Sequence, residues 1–235
     1  MKADCTIVVP TLNEEAYIGQ LFASIRAQTL PAAAVIIVDN NNTDATSKLA
    51  ADFGAIIVVE TAQGVSRARK AGFAAATTGI IISTDADTVL IPTYIERAQQ
   101  YFAAHPETVA VFGPAHLADG PWFFRLLSRT AFSLFLRASI LTGKPNLDGF
   151  NFACRADAYR KVGGFNVNVV TAEDVDLALR LKSVGKINYV PGLLVRTSAR
   201  RLVGIGGWHF VAHHALNYWR ILRGKKGSSD FKPYR

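Results

Sequence analysis

The chain has 235 residues, half of them hydrophobic, so it can bury a sizeable core and is too apolar to be disordered over most of its length. Its net charge of +8 is unevenly spread: residues 1–119 carry 7 Lys/Arg against 12 Asp/Glu, a net of −5, and residues 120–235 carry 19 against 6, a net of +13. The acidic first half and the lack of an aromatic–basic repeat argue against a nucleic-acid binder, while the basic half calls for an anionic partner such as a phosphate or a lipid headgroup. Cys5 and Cys154 provide neither a disulfide framework nor a metal spacing, and both read as core thiols. The apolar run after Cys5 stops at Pro10, too short for a signal peptide, which leads us to expect a cytoplasmic location.

Thr6 to Val9 predicts a short buried strand, closed by Pro10-Thr11-Leu12-Asn13-Glu14-Glu15, and Ile18, Leu21, Phe22 and Ile25 then mark one apolar helix face. Val35 to Val38 is a second strand ending in Asp39, and the Asn/Asp cluster after it caps a helix over 45–53 that stops at Gly54. A third strand, Ile56 to Val59, leads through Gly64 into a helix ending near Gly79. Ile80-Ile81-Ile82-Ser83-Thr84 follows, a β-branched run too short for a helix, ending in Asp85-Ala86-Asp87. Alternating strands and helices at this spacing imply right-handed βαβ units and a parallel sheet. Ligands of such sheets sit beyond the carboxyl ends of the strands, where Asn13/Glu14, Asp39 and Asp85/Asp87 converge. Neither a Gly-x-Gly-x-x-Gly nor a P-loop is present, so a metal held by the two aspartates is the expected answer to phosphate charge.

After a helix over 92–104 and a strand over 109–113, Trp122 to Leu141 predicts one apolar helix with a polar stripe at Arg125, Arg129, Ser133 and Arg137. Three arginines would cost about 8–10 kcal/mol in a membrane span, so an interfacial or core-covering helix is expected. Leu147 to Ala153, a short helix and Gly163-Gly164-Phe165 come next. Thr171-Ala172-Glu173-Asp174-Val175-Asp176 opens an amphipathic helix whose acidic start suits its positive end. A strand over 187–190 precedes Arg196 to Arg201 and a helix from Trp208 to Leu222, closed by a Lys/Arg cluster. His209, His213 and His214 on that helix, interleaved with aromatics and without a further ligand nearby, read as interface or core histidines.

Taken in order from Cys5 to Arg201, these motifs resemble glycosyltransferase family 2. Val9-Pro10-Thr11-Leu12-Asn13-Glu14 resembles its first nucleotide-binding turn, Asp39 its uracil- or ribose-contacting Asp, and Gly64 to Gly72 its Gly-x-x-x-Ala-Arg-Asn-x-Gly element, with Lys70 at the Asn position. Asp85-Ala86-Asp87 resembles the metal-binding Asp-x-Asp, Gly149-Phe150-Asn151-Phe152 and Gly163-Gly164-Phe165 the acceptor-side segment, and Glu173-Asp174 the catalytic pair. The resemblance implies an α/β GT-A fold, a mostly parallel Rossmann-like sheet flanked by helices, with additional C-terminal amphipathic helices. Residues 1–115 would form the nucleotide-sugar-binding half, 116–201 the acceptor-binding and catalytic half of the same domain, and 202–235 a basic aromatic helix and tail.

It also implies metal-dependent, inverting transfer from a UDP- or GDP-sugar to a saccharide, lipid-linked or lipid-phosphate acceptor. Asp85 and Asp87 would hold Mg²⁺ or Mn²⁺, and Asp174 would take the acceptor proton while Glu173 orients it. Pro10, Thr11, Asn13, Glu14, Asp39, Arg69, Asp85, Arg200 and Arg201 would contact the donor. The alternative is a nucleotide-sugar-binding module without turnover. The basic stripe and the Trp/Tyr-rich basic tail imply peripheral attachment to the anionic cytoplasmic face of a membrane, with packing against the sheet or a homodimer as the competing use of those helices.

Overall fold

The computed structural model describes residues 2–169 and 171–223. Lys225 and Lys226, in the Lys/Arg cluster expected to close the last helix, lie outside the described residues. In chain order, the first half comprises β1 (Ala3–Thr11), α1 (Ile18–Arg26), β2 (Ala32–Asp39), α2 (Thr46–Phe53), β3 (Ile56–Val59), α3 (Val65–Ala75), β4 (Ile80–Thr84), β5 (Thr88–Leu90), α4 (Tyr94–Ala104), β6 (Thr108–Phe112) and β7 (Ala115–Leu117). The second half comprises α5 (Trp122–Leu127), a π-helical turn (Ser128–Phe132), α6 (Ser133–Leu141), β8 (Asn151–Arg155), α7 (Ala156–Lys161), α8 (Glu173–Leu181), β9 (Lys186–Tyr189), β10 (Val195–Thr197), α9 (Arg200–Ile205) and α10 (Gly207–Leu222).

Among the described residues, seven strands form the main sheet in the order β3-β2-β1-β4-β8-β6-β9. All neighbours run parallel except β8, which is antiparallel to both β4 and β6. The sheet is therefore mostly parallel, as expected, and strands from both halves of the chain complete it. Successive strand residues serve opposite layers. Ile7, Val9, Ile37, Ile80 and Ile82 join Ile18, Leu21, Tyr94 and Phe102 under α1 and α4, while Val8, Ile36, Val38 and Ile81 join Phe73, Tyr159, Leu177 and Leu181 under α3, α7 and α8. Cys5 and Cys154 are both buried, one in each layer. The run Leu147 to Ala153 turned out to lead into β8, a strand that its lone apolar stretch had not declared.

Three short strands form a second sheet, β5-β10-β7, with β10 antiparallel to β5 and parallel to β7. Its registers put Thr197 opposite Thr88 and opposite Leu117. At three residues each, these strands carry no readable period.

The single helix expected over Trp122 to Leu141 is instead two helices joined by the π turn at Ser128–Phe132. A π turn takes in an extra residue, so the even spacing of Arg125, Arg129, Ser133 and Arg137 no longer defines one straight stripe. All three arginines are exposed.

Helix α3 lies directly on β1 and β2 because Gly72 has no side chain: a Cβ there would sit 2.4 Å from Val8 Cγ1 and 2.7 Å from Val38 Cγ2. Gly72→Ala is expected to destabilise the fold by about 1–3 kcal/mol through overpacking. Urea unfolding should show a lower midpoint at an unchanged slope.

Candidate functional site

The site is built at the carboxyl ends of β1, β2 and β4. β1 ends in Thr11, whose hydroxyl donates to Val38 O (2.9 Å) and accepts from Asn42 Nδ2 (2.9 Å). Pro10 precedes it within the strand. Asn13 takes a positive φ of 57°, a conformation its short amide side chain tolerates, and its Oδ1 accepts from Thr43 N (2.7 Å). The amide of Glu14 donates to Thr46 Oγ1 (2.7 Å). Asp39, at the end of β2, accepts from Asn42 N (2.8 Å) and Ser47 Oγ (2.6 Å), so its carboxylate organises the turn into α2. Behind it, Asn40 is saturated: Nδ2 donates to Glu60 O and Ala62 O, and Oδ1 accepts from Gly64 N. That residue escaped the sequence reading, where it was one of three consecutive asparagines.

Arg69, on α3, is the hub. Its side chain is 5% exposed, and it donates through Nη2 to Asp85 Oδ1 (2.9 Å) and through Nη1 to Glu173 Oε1. One buried guanidinium thus joins the turn after β4 to the start of α8, with Glu173 104 residues after Arg69 in the chain. Gly149 makes room for it, since a Cβ at that position would lie 2.2 Å from Arg69 Nη1. The geometry commits Arg69 to these two carboxylates.

Glu173 and Asp174 open α8, preceded by Ala172 at a positive φ of 60°. Burial and the adjacent Asp174 charge push the Glu173 carboxyl up to about 7, with Arg69 pulling the other way. Burial also raises Asp174, opposed by Arg69 and by the Gly149 N–H. Asp174 is held by two amides, Gly149 N at Oδ2 and Val175 N at Oδ1, both at 2.8 Å, and is more exposed than Glu173.

Asp148 stands beside this pair and was not singled out from the sequence. It is buried, its Oδ2 has no partner among the described residues, and burial together with the Asp174 charge lifts its carboxyl well above the ordinary range. A proton kept on Asp148 lowers the cost of that burial. The only available signal was an Asp between an apolar residue and Gly149 just before a strand.

On the other side of the Asp85-Ala86-Asp87 turn, the small sheet brings in the start of α9. Arg200 donates from Nε to Asp87 Oδ2 (3.0 Å) and from Nη2 to Glu14 Oε1 and Oε2 (2.6 and 2.5 Å), with its guanidinium 4.2 Å from the Tyr17 ring centre. Arg201 makes no ion pair among the described residues but adds positive charge beside Glu14 and Asp87. Burial raises Glu14, offset by Arg200; burial and Asp85 raise Asp87.

These residues fit a hard divalent cation. Asp85 and Asp87 each spend one oxygen on an arginine, leaving Asp85 Oδ2 and Asp87 Oδ1 without a hydrogen bond among the described residues. Among the described residues no cluster of three or more His, Cys, Asp or Glu could enclose a metal by itself. Two carboxylates completed by substrate phosphate oxygens are the donor set expected of Mg²⁺.

A family model described as Glycosyl transferase family 2 matches residues 6–163. The chain is similar to a pre-mycofactocin glycosyltransferase of Mycobacterium tuberculosis, 29% identical over 206 residues that cover 82% of this chain and 42% of that protein. It is also similar to an uncharacterised glycosyltransferase of the same organism, 44% identical over 82 residues, 35% of this chain and 36% of that protein. The chain therefore spans well under half the length of these curated relatives. In fold it is similar to a mannosyltransferase from Pyrobaculum calidifontis solved with GDP-Man and Mn²⁺, with a TM-score of 0.73 at 23% identity over 99% of this chain and 68% of that one. A second similar structure is glucosyl-3-phosphoglycerate synthase from Mycobacterium tuberculosis with Mn²⁺, UDP and phosphoglyceric acid, with a TM-score of 0.67 at 18% identity over 97% of this chain and 80% of that one.

Replacing Arg69 by Met would leave Asp85 and Glu173 buried without their counter-charge. Arg69→Met is expected to cost about 3–5 kcal/mol of stability, far more than an isosteric change at a surface arginine. Urea unfolding followed by circular dichroism measures it.

Proposed function

The chain belongs to glycosyl transferase family 2, and from that premise we propose that it transfers a sugar from a nucleotide-diphospho-sugar to an acceptor hydroxyl or lipid phosphate, with inversion at the anomeric carbon. The observation that carries this reading is the single buried Arg69, which registers Asp85 of the Asp-x-Asp turn against the Glu173-Asp174 pair. Such a placement sets a leaving-group side and an acceptor side a fixed distance apart, as a one-step displacement requires.

On the donor side, the turns after β1 and β2, with Pro10, Thr11, Asn13, Glu14 and Asp39, line the sheet edge where a nucleotide would lie. Asp85 and Asp87 are the residues that would hold Mg²⁺ or Mn²⁺, which when bound supplies counter-charge for the diphosphate leaving group. The presence of Mn²⁺ with a GDP-sugar in one similar structure and with UDP in another supports this assignment. Arg200 and Arg201, whose charge is felt at Glu14 and Asp87, would supply positive charge to the diphosphate oxygens.

On the acceptor side, Asp174 takes the proton from the attacking hydroxyl. Its two amide contacts aim the carboxylate, and its raised pKa makes it a stronger base than an ordinary Asp. Glu173, more deeply buried and bound to Arg69, orients the pair.

The acceptor end adjoins a layer of exposed aromatic and apolar residues. Among the described residues, no helix is long and apolar enough to cross a membrane. Phe123 and Phe124 on α5 pack on Trp208 of α10 (6.0 and 5.7 Å between ring centres), and Phe135 on α6 meets Tyr218 (5.4 Å). Around them Trp122 is 74% exposed, Leu141 87%, Trp208 63% and Trp219 55%, interspersed with exposed Arg125, Arg129, Arg137, Arg220 and Arg223. A surface of this kind suits attachment to the anionic face of a bilayer, each basic residue contributing about 1 kcal/mol there.

Asp174→Asn is expected to lower kcat by roughly 10²–10⁴ with donor affinity nearly unchanged, measured by turnover and by titration with UDP- and GDP-sugars. For the wild type, turnover should rise with pH through a limb lying above the ordinary Asp value of about 4, because the base works only once deprotonated and its pKa is raised. An Asp174→Asn enzyme with wild-type kcat on a hydroxyl acceptor would overturn the assignment.

Membrane attachment is checked by vesicle co-sedimentation. Binding to anionic but not neutral vesicles, weakened by salt and by Arg220→Ser with Arg223→Ser, is expected. Equal recovery in the supernatant with both vesicle types at low salt would refute it.

A further inference from the structure

The position of Arg200 has a consequence for how the donor enters. Its guanidinium takes Asp87 Oδ2 and both oxygens of Glu14, and rests on the Tyr17 ring, so it satisfies two largely buried carboxylates at once. Asp87 is also one of the two residues suited to a divalent cation. A cation brought to Asp87 would face a guanidinium already bonded to the same carboxylate, and the two positive charges repel. The diphosphate of a donor supplies the opposite charge and pairs of oxygens that the planar guanidinium fork can engage together.

The arginine can change partners without the fold coming apart. Its backbone is anchored independently of its side chain: Asp119 accepts from Ala199 N (2.5 Å) and from Ser198 Oγ (3.0 Å), and β10 is paired to β5 and β7 just before it. The guanidinium extends from that anchor to Asp87 and Glu14.

We propose that Arg200 is an exchangeable counter-ion of the donor site: it holds Asp87 and Glu14 while the site is free of donor, opposes binding of a divalent cation alone, and passes to the diphosphate when cation and nucleotide arrive together. This rests on the reading of Asp85 and Asp87 as metal-holding residues. It makes cation and nucleotide strongly cooperative, and by thermodynamic reciprocity each raises the affinity of the other by the same factor.

The test is Mn²⁺ binding to the full chain, followed by the electron paramagnetic resonance signal of the free ion, with and without UDP or GDP. Without nucleotide, Arg200→Gln is expected to bind Mn²⁺ about tenfold more tightly than the wild type, and with either nucleotide the advantage should vanish or reverse. Adding Asp87→Asn to Arg200→Gln should abolish the gain. Removing the arginine leaves Glu14 and Asp87 uncompensated, so the melting temperature of Arg200→Gln should rise more with added Mn²⁺ than that of the wild type. Should Arg200→Gln fail to fold, Arg200→Lys serves, because a single ammonium cannot span both carboxylates with the same fork; a smaller gain in the same direction is expected.

Equal Mn²⁺ affinity of wild type and Arg200 variants without nucleotide would overturn the exchange while leaving the metal reading intact. A gain that survives Asp87→Asn would overturn it too. If Mn²⁺ binds to no form, with or without UDP or GDP, the metal reading falls and the exchange falls with it.

Discussion

Arg69 forks between Asp85 and Glu173 in the interior, and the other acidic groups of the site are arranged around that pairing. Asp85, Asp87, Asp148, Glu173 and Asp174 gather where three elements meet, close enough for their charges to be felt mutually. In a poorly hydrated pocket so many carboxylates would drive one another apart or take up protons. Arg69 removes part of that cost by supplying a permanent positive charge with donors in two directions, while burial and the Asp174 charge raise the Asp148 and Glu173 carboxyls. The packing follows from the same need: Gly149 is bare because the guanidinium lies against it, and its amide then reaches Asp174.

A second arginine performs the complementary task on the outer side of the same turn. Arg200 neutralises Asp87 and Glu14, but from a short helix tethered through Asp119 and a three-stranded sheet rather than from the middle of the core. Burial distinguishes the two: the Arg69 side chain is 5% exposed and that of Arg200 14%. The charge asymmetry of the sequence finds its place here, with acids of the first half at strand ends and many basic residues of the second half on the exposed aromatic layer.

Much of the scaffold could be read directly. Ile/Val runs bounded by Asn, Asp and Gly marked β1, β2 and β4, and the 3-4 spacing of Ile18, Leu21, Phe22 and Ile25 marked α1, because buried strands and one-sided helices impose those periods on their own residues; the same kind of run marked β3, although at the sheet edge Ile56, Ile57 and Val59 are exposed. The antiparallel direction of β8 could not be read, since apolar alternation looks the same whichever way a strand runs. The π turn at Ser128–Phe132 was hidden for a related reason: one extra residue in a turn leaves no mark in a sequence apolar on nearly all sides. Asp148 was invisible because its importance lies in its surroundings and not in its neighbours along the chain.

The fold class, the strand ends where polar residues converge, and the two carboxylate pairs at Asp85/Asp87 and Glu173/Asp174 were legible along the chain. These are local properties, set by periodicity and by residue type at the ends of elements. Which arginine serves which carboxylate was settled by the packing of the layers. Arg69 and Arg200 were equal candidates as basic residues near motifs; the docking of α3 on β1 and β2 through Gly72 buried one, and the pairing of β10 with β5 delivered the other to Asp87. Ion pairs spanning 104 and 113 residues have no signature in the chain, because the choice is made by the desolvation of both partners and that exists only once the layers have closed.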